Sequence, residues 1–107
     1  IYIPDIDSWQ EWDVRLDDLS KNNDILILDG TFYNKKEKKN RNITKIPHPT
    51  IKGTMLITNH FKLEEKNKIY FTHLNHTNKA VDNKSKEYNN ILTSGYNILK
   101  DNQIFKL

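Results

Sequence analysis

The run from Ile25 to Leu28 is the sequence feature that most constrains the fold. Four aliphatic residues follow one another after Asp24, and the run stops at Asp29-Gly30-Thr31. A continuous apolar run of this length is typical of a strand that is buried on both faces, as in parallel sheets covered by helices. It therefore predicts a layered α/β fold in which helices pack against a sheet.

The rest of the chain predicts an alternation of short strands and helices. Asp7-Ser8 opens a helix because Ser8 and Glu11 fit a capping box, and the apolar face of this helix includes Trp9 and Trp12, which we interpret as core residues. The predicted elements are, in order, a strand Ile1 to Ile3, the helix that closes at Lys21-Asn22-Asn23, the strand Asp24 to Leu28, a helix Thr50 to Asn59, a strand Ile69 to Thr72, a helix Ser85 to Thr93 capped by Gly95, and a terminal hairpin of Tyr96 to Leu99 with Gln103 to Phe105.

Length and composition narrow the class of protein. The chain has 107 residues, a net charge of +3, no cysteine and a mean hydropathy of -0.83. These values predict one small domain or a piece of a larger one, without disulfides or thiolate metal sites, and they do not indicate a nucleic-acid partner. No apolar stretch approaches the roughly 18 residues needed to span a membrane, and no signal segment opens the chain. We therefore expect a cytoplasmic protein without a membrane partner.

The first residues indicate that the chain is part of something longer. Ile1-Tyr2-Ile3-Pro4 lacks an initiator Met and has the pattern of a strand already under way. We interpret the sequence as the carboxyl-terminal part of a longer domain, with a trimmed start as the alternative.

Polar residues whose side chains can bind metals or transfer protons lie near the ends of several of the predicted strands. Asp5 and Asp29 follow apolar runs, His48 precedes a helix, and His73 and His76 follow the strand Ile69 to Thr72. Because the carboxyl ends of parallel strands meet at one edge of a sheet, these side chains are expected to lie near each other. Carboxylates and imidazoles bind zinc, manganese or iron, share protons or hold anions. The alternative is a loop with incidental histidines, and the sequence has neither His-x-His nor His-Glu-x-x-His, so a metal site built from this chain alone would be incomplete.

Four stretches of the sequence form a recognisable set. In chain order they are Tyr2-Ile3-Pro4-Asp5, Asp24-Ile25-Leu26-Ile27-Leu28-Asp29-Gly30-Thr31-Phe32, Ile46-Pro47-His48-Pro49, and Phe71-Thr72-His73-Leu74-Asn75-His76-Thr77-Asn78. Each stretch alone would be a weak match, but together they resemble the carboxyl-terminal part of the metallo-β-lactamase superfamily, and most closely its pyrroloquinoline quinone biosynthesis protein B branch.

The resemblance implies roles for individual residues. Asp5 matches the aspartate that bridges two metal ions in the family, and His73 matches the last metal-binding histidine. His48 matches a histidine near the substrate that acts as a general acid or stabilises charge. His76, Asp29 and Asn75 would line the pocket or orient a ligand, and Asp29 could instead tie down its loop. The implied cofactors are two divalent metal ions, with zinc first and iron or manganese as alternatives. His60 matches nothing in the family and is interpreted as a surface histidine.

The departure from the family is as informative as the match. The His-x-His-x-Asp-His motif, which supplies most metal ligands, is absent, as is a further ligating histidine expected before Asp5. Residues 1–107 would thus be the carboxyl-terminal half of an αββα sandwich, a mixed sheet with flanking helices, and inactive alone. Its expected partners are the amino-terminal half, as another chain or a missing segment, and a small-molecule substrate, and its uncovered sheet face could lead to a homo-oligomer.

Three functions remain open from the sequence. The first is a metal-dependent hydrolase in which activated water attacks an ester, amide or phosphodiester, or an oxidative hydroxylase with bound iron as in the quinone-biosynthesis branch. The second is a non-catalytic α/β binding or structural module. The third is anion or nucleic-acid binding through the charged run from Lys35 to Arg41, for which the alternative is an ordinary solvated loop.

Overall fold

The strands and helices of the protein alternate as the sequence pattern predicts. The structure is a computed structural model, and it describes residues 1–3, 16–34 and 50–100. In chain order the elements are β1 (Tyr2–Ile3), α1 (Leu16–Asn22), β2 (Leu26–Asp29), α2 (Ile51–Ile57), α3 (Leu63–Lys66), β3 (Ile69–Thr72), a 3₁₀ helix (Lys79–Val81), α4 (Lys86–Thr93) and β4 (Asn97–Ile98).

The four described strands form one parallel sheet. Their order across the sheet follows their order in the chain, β1-β2-β3-β4, and every neighbouring pair is parallel. Leu28 is paired with Phe71, and Asp29 is paired with Thr72. Because β2 and β3 end in register, the residues that follow them leave the sheet at the same edge. The α/β prediction is confirmed, whereas the antiparallel strand that would make the sheet mixed falls in residues 101–107, outside the described part of the chain.

The core lies on one face of the sheet. Leu26 and Leu28 of β2 and Ile69 and Phe71 of β3 are completely buried, as are the helical residues Ile51 of α2 and Ile91 of α4. Aliphatic and aromatic side chains removed from water in this way stabilise the fold in proportion to the area they bury.

The opposite face of the sheet is covered less completely. Ile27, Tyr70 and Thr72 alternate with the core residues and are only partly buried. The sequence predicts burial of β2 on both faces. Among the described residues, Ile27 on the second face of β2 is only partly buried, whereas Asp29, on the same face at the end of the strand, is completely buried. A run of Ile and Leu does not distinguish these cases, because it places apolar side chains on both faces.

Local signals define the ends of the two longer described helices after β2. The side chain of Thr50 accepts a hydrogen bond from the Gly53 amide at 2.9 Å, and Ser85 accepts one from Tyr88 at 3.0 Å. Both are N-caps of the kind that Ser and Thr prefer. Helix α2 ends at Ile57, two residues earlier than predicted, because residues 58–60 form a turn.

The predicted cap at Gly95 is confirmed. Gly95 has a φ of +102°, its amide donates to Leu92, and the Tyr96 amide donates to Ile91. This pair of bonds is a Schellman motif, in which a left-handed residue suits glycine. The short helix α3 and the 3₁₀ helix were not predicted.

No helix within the described ranges has both the length and the apolar character needed to cross a bilayer.

Candidate functional site

Three polar residues at the carboxyl ends of β2 and β3 lie close to one another in the structure. Asp29 is the last residue of β2, Thr31 lies two residues later, and His73 follows the last residue of β3. The in-register ends of the two strands explain why residues about forty positions apart in sequence become neighbours. Asp29 and His73 are both among the predicted site residues, and Thr31 is the connection between them.

Asp29 is a completely buried carboxylate that binds Thr31 twice. Its Oδ1 atom accepts a hydrogen bond from the Thr31 amide at 2.9 Å and another from the Thr31 hydroxyl at 2.8 Å. A buried carboxylate is costly unless such donors replace its water shell. These bonds tie Asp29 to the loop that follows β2, as its predicted structural role requires. The Thr31 hydroxyl also connects Asp29 to His73.

His73 lies at the surface with an unusual backbone conformation. Its φ is 64°, and among the described residues it is the one non-glycine with a positive φ. Its Nδ1 atom is 3.4 Å from the Thr31 hydroxyl oxygen. A left-handed residue other than glycine at the end of a strand stores strain, and strain of this kind accumulates where a side chain must be aimed.

Gly30 permits the close approach of the two loops. Its amide donates to the Thr72 carbonyl at 2.7 Å. A Cβ atom at this position would lie 2.9 Å from both Phe71 Cβ and that same carbonyl oxygen. A side chain here would therefore push β3 away and separate Thr31 from His73.

Asparagines fasten the loop after β3 to the loop after β2. The Asn75 amide donates to the Thr31 carbonyl at 2.9 Å. Asn78 is 1% exposed; its side-chain amide donates to the Gly30 carbonyl at 2.9 Å, and its Oδ1 accepts from the Ala80 amide at 2.9 Å. Asn75 thus contributes through its backbone in this arrangement.

Thr31 and Asn78 are site residues that the sequence reasoning missed. Both belong to stretches quoted for the family resemblance, but no local spacing predicts their contacts, because their partners lie on a different strand. Asn78 caps the 3₁₀ helix that follows it, but the sequence does not predict that helix, so no local pattern identifies Asn78 in advance.

The other histidines lie apart from this cluster or outside the described residues. His76 is exposed on the loop after β3. His60 is exposed and its Nε2 lies 3.1 Å from Asp17 Oδ2, in agreement with a surface role. Asp5 and His48, predicted as a metal ligand and a catalytic residue, belong to residues 4–15 and 35–49, which the structure does not describe.

The described part of the chain does not hold a complete metal site. It has no cluster of three or more His, Asp or Glu side chains placed to bind one ion. His73 is a suitable donor for zinc or iron, since it is exposed and one of its nitrogens faces Thr31. Asp29 is committed to Thr31 through Oδ1. A metal would need further ligands, and the sequence offers Asp5 for that role.

A groove of about 600 Å³ lies elsewhere on the molecule, along α2. Its lining does not include Asp29, Thr31 or His73. Lys52 is the one titratable residue among the described residues that line it, so the groove does not bring together the groups that a reaction would need. The lining residues are Asn34, Thr50, Lys52, Gly53, Met55, Leu56 and Asn59.

Burial raises the pKa of Tyr96, and the hydrogen bond between its hydroxyl and that of Thr58 partly opposes this rise. This pair packs under α2, where Tyr96 Oη is also 3.3 Å from the Met55 carbonyl. Its role is therefore structural.

Comparison of the sequence with protein-family models and with curated proteins gives no match.

Proposed function

We propose that this chain is the carboxyl-terminal half of a metal-dependent hydrolase of the metallo-β-lactamase superfamily, similar to its pyrroloquinoline quinone biosynthesis protein B branch. The observation that carries the proposal is the cluster of Asp29, Thr31 and His73 at the carboxyl edge of a parallel sheet. His73 is the residue that the resemblance assigns to the metal, and it is also the one with a strained backbone. The resemblance and the strain are independent reasons to select the same side chain.

In this proposal the residues have separate tasks. Asp5 and His73 hold metal, together with ligands from the amino-terminal half. A divalent ion held by these residues would supply the activation of water at neutral pH. His48 transfers a proton or stabilises charge on the leaving group, and Asp29 acts through Thr31 to orient His73. Bound iron would instead suit oxidative hydroxylation, so the metal's identity decides between the two reactions.

The incompletely covered sheet face supports the second part of the proposal, that an amino-terminal half packs here. Ile27 and Tyr70 present apolar surface that the described helices do not fully bury. A second sheet packed face to face would cover these side chains, since two sheets stack about 10 Å apart with interdigitating side chains.

Metal content tests the proposal. The protein encoded by the complete gene, of which this chain is then the carboxyl-terminal part, should bind about two metal ions per molecule by elemental analysis, as dinuclear hydrolases do. His73→Gln should remove at least one of them. His60→Gln is the matched control because His60 is an exposed histidine that contacts the Asp17 carboxylate and the Phe61 ring, away from the strand ends, and it should keep the full content.

Two results would overturn the proposal. A complete protein free of metal after growth with zinc, iron and manganese would favour a non-catalytic α/β binding module. Equal metal content in the His73→Gln and His60→Gln variants would show that His73 is not a ligand.

A further inference from the structure

The contact between Thr31 and His73 bears on which ring nitrogen of His73 carries the hydrogen. We infer that Thr31 is a positioning residue that holds His73 in the tautomer protonated at Nδ1, which leaves the lone pair on Nε2 for a metal or a proton. The use of Nε2 as a ligand atom rests on the proposed function, whereas the tautomer itself does not.

The direction of the Thr31 hydroxyl follows from counting its one hydrogen. Asp29 Oδ1 lies 2.8 Å from the hydroxyl oxygen, and His73 Nδ1 lies 3.4 Å from it. Asp29 Oδ1 accepts from both the amide and the hydroxyl of Thr31, so the single hydroxyl hydrogen is directed at Asp29, the nearer of the two partners. The hydroxyl oxygen is then an acceptor toward His73.

An acceptor beside Nδ1 selects the protonation state of a neutral imidazole. One ring nitrogen carries the hydrogen and the other is an acceptor, and which one is protonated is set by the bond that the ring makes. With the Thr31 oxygen as acceptor, Nδ1 carries the hydrogen. Histidines that bind metals commonly have one nitrogen fixed by a carboxylate or carbonyl in this way, and here the hydroxyl of Thr31 transmits the effect of the carboxylate.

Thr31 is held firmly enough to act on its neighbour. It is 8% exposed, its amide and hydroxyl both donate to Asp29, and its carbonyl accepts from the Asn75 amide at 2.9 Å. Asn75 lies two residues beyond His73 on the same loop. The loop that carries His73 is thus tied to Thr31, the residue that orients the ring.

Nitrogen NMR on histidine-labelled protein tests the inference directly. The protein is freed of metal and held at about pH 8.5, which is above the ordinary imidazole pKa of about 6.5. Spectra that correlate the carbon-bound ring protons with the ring nitrogens report which nitrogen is protonated. The signals of His73 are identified as those that are missing from the spectrum of His73→Gln. We expect hydrogen on Nδ1, although an imidazole free in water favours Nε2. Hydrogen on Nε2 of His73 in the wild-type protein would overturn the inference without any variant.

A pair of substitutions at Thr31 separates positioning from packing. Thr31→Val keeps the shape but removes the oxygen, so His73 should shift to the Nε2-protonated form, and zinc affinity should fall about 10- to 100-fold. Thr31→Ser keeps the oxygen and should retain both the Nδ1 tautomer and the affinity. An unchanged tautomer in Thr31→Val would contradict the inference. If the wild-type protein shows the Nδ1 tautomer but binds no metal, the proposed function fails and the positioning role of Thr31 stands.

Discussion

The backbone of His73 has a φ of 64°, a value that costs a residue with a Cβ atom about 1–2 kcal/mol. Asp29, Thr31 and Asn75 hold the surrounding loop, so the strain persists in the folded protein. A residue retained in such a conformation is a candidate for function rather than for stability. Glycine at this position would remove both the strain and the imidazole.

A glycine at His73 should therefore cost less stability than a glycine at His76. His73→Gly relieves the left-handed strain, and this gain offsets the loss of about 0.5–1 kcal/mol from the greater backbone freedom of glycine. His76 is an exposed histidine on the same loop without a positive φ, so His76→Gly has the loss without the gain. Urea denaturation should rank His73→Gly as the more stable variant by about 1 kcal/mol. The opposite ranking would show that the His73 conformation is not strained.

At the scale of elements, the loops that follow β2 and β3 are connected by two backbone hydrogen bonds, from Gly30 to Thr72 and from Asn75 to Thr31, and by the side chain of Asn78. Asn78 makes the strongest of these connections, because it is buried and its side chain binds both the Gly30 carbonyl and the Ala80 amide. It holds the loop after β3 against the loop after β2, and therefore fixes the separation of Thr31 and His73.

Asn78→Ala should lower the free energy of unfolding by about 2–3 kcal/mol, because a buried carbonyl and a buried amide would lose their partner. Asn83→Ala is the matched control, since Asn83 is exposed in the turn before α4; its effect should stay within about 0.5 kcal/mol. Chemical denaturation compares the two. If Asn78→Ala lowers the free energy of unfolding by less than about 1 kcal/mol, water replaces the Asn78 amide and the side chain does not hold the two loops together.

The same elements show what a sequence can and cannot predict. Thr50, Ser85 and Gly95 mark helix ends because capping is a local interaction, with partners three to five residues away. The contact of Asn78 with Gly30 spans 48 positions, and that of Thr31 with His73 spans 42. Such contacts depend on strand register, which periodicity does not specify. For that reason the strands and three helices were predicted in outline, whereas the incomplete burial of the second face of β2 and the role of Thr31 were not.

At the scale of the whole molecule, the two faces of the sheet differ in a way that has a consequence for association. Leu28 and Phe71 on one face are completely buried, whereas the side chain of Ile27 on the other face is still partly accessible to water. Apolar surface that water still reaches favours contact with another apolar face. Under the proposed function an amino-terminal half makes that contact, and in the 107-residue chain we expect a second copy to do so.

Ile27→Asn should therefore weaken self-association of the 107-residue chain, because it replaces apolar surface on the half-covered face with an amide. Leu56→Asn is the control: Leu56 is 75% exposed on α2, away from the sheet, so the change adds the same amide to a different surface. Sedimentation equilibrium over a range of concentrations should show a dimer for the wild-type chain and Leu56→Asn, and a shift toward monomer for Ile27→Asn. Equal dimerisation of all three would place the contact elsewhere, and a monomeric wild-type chain would mean that the half-covered face needs no partner.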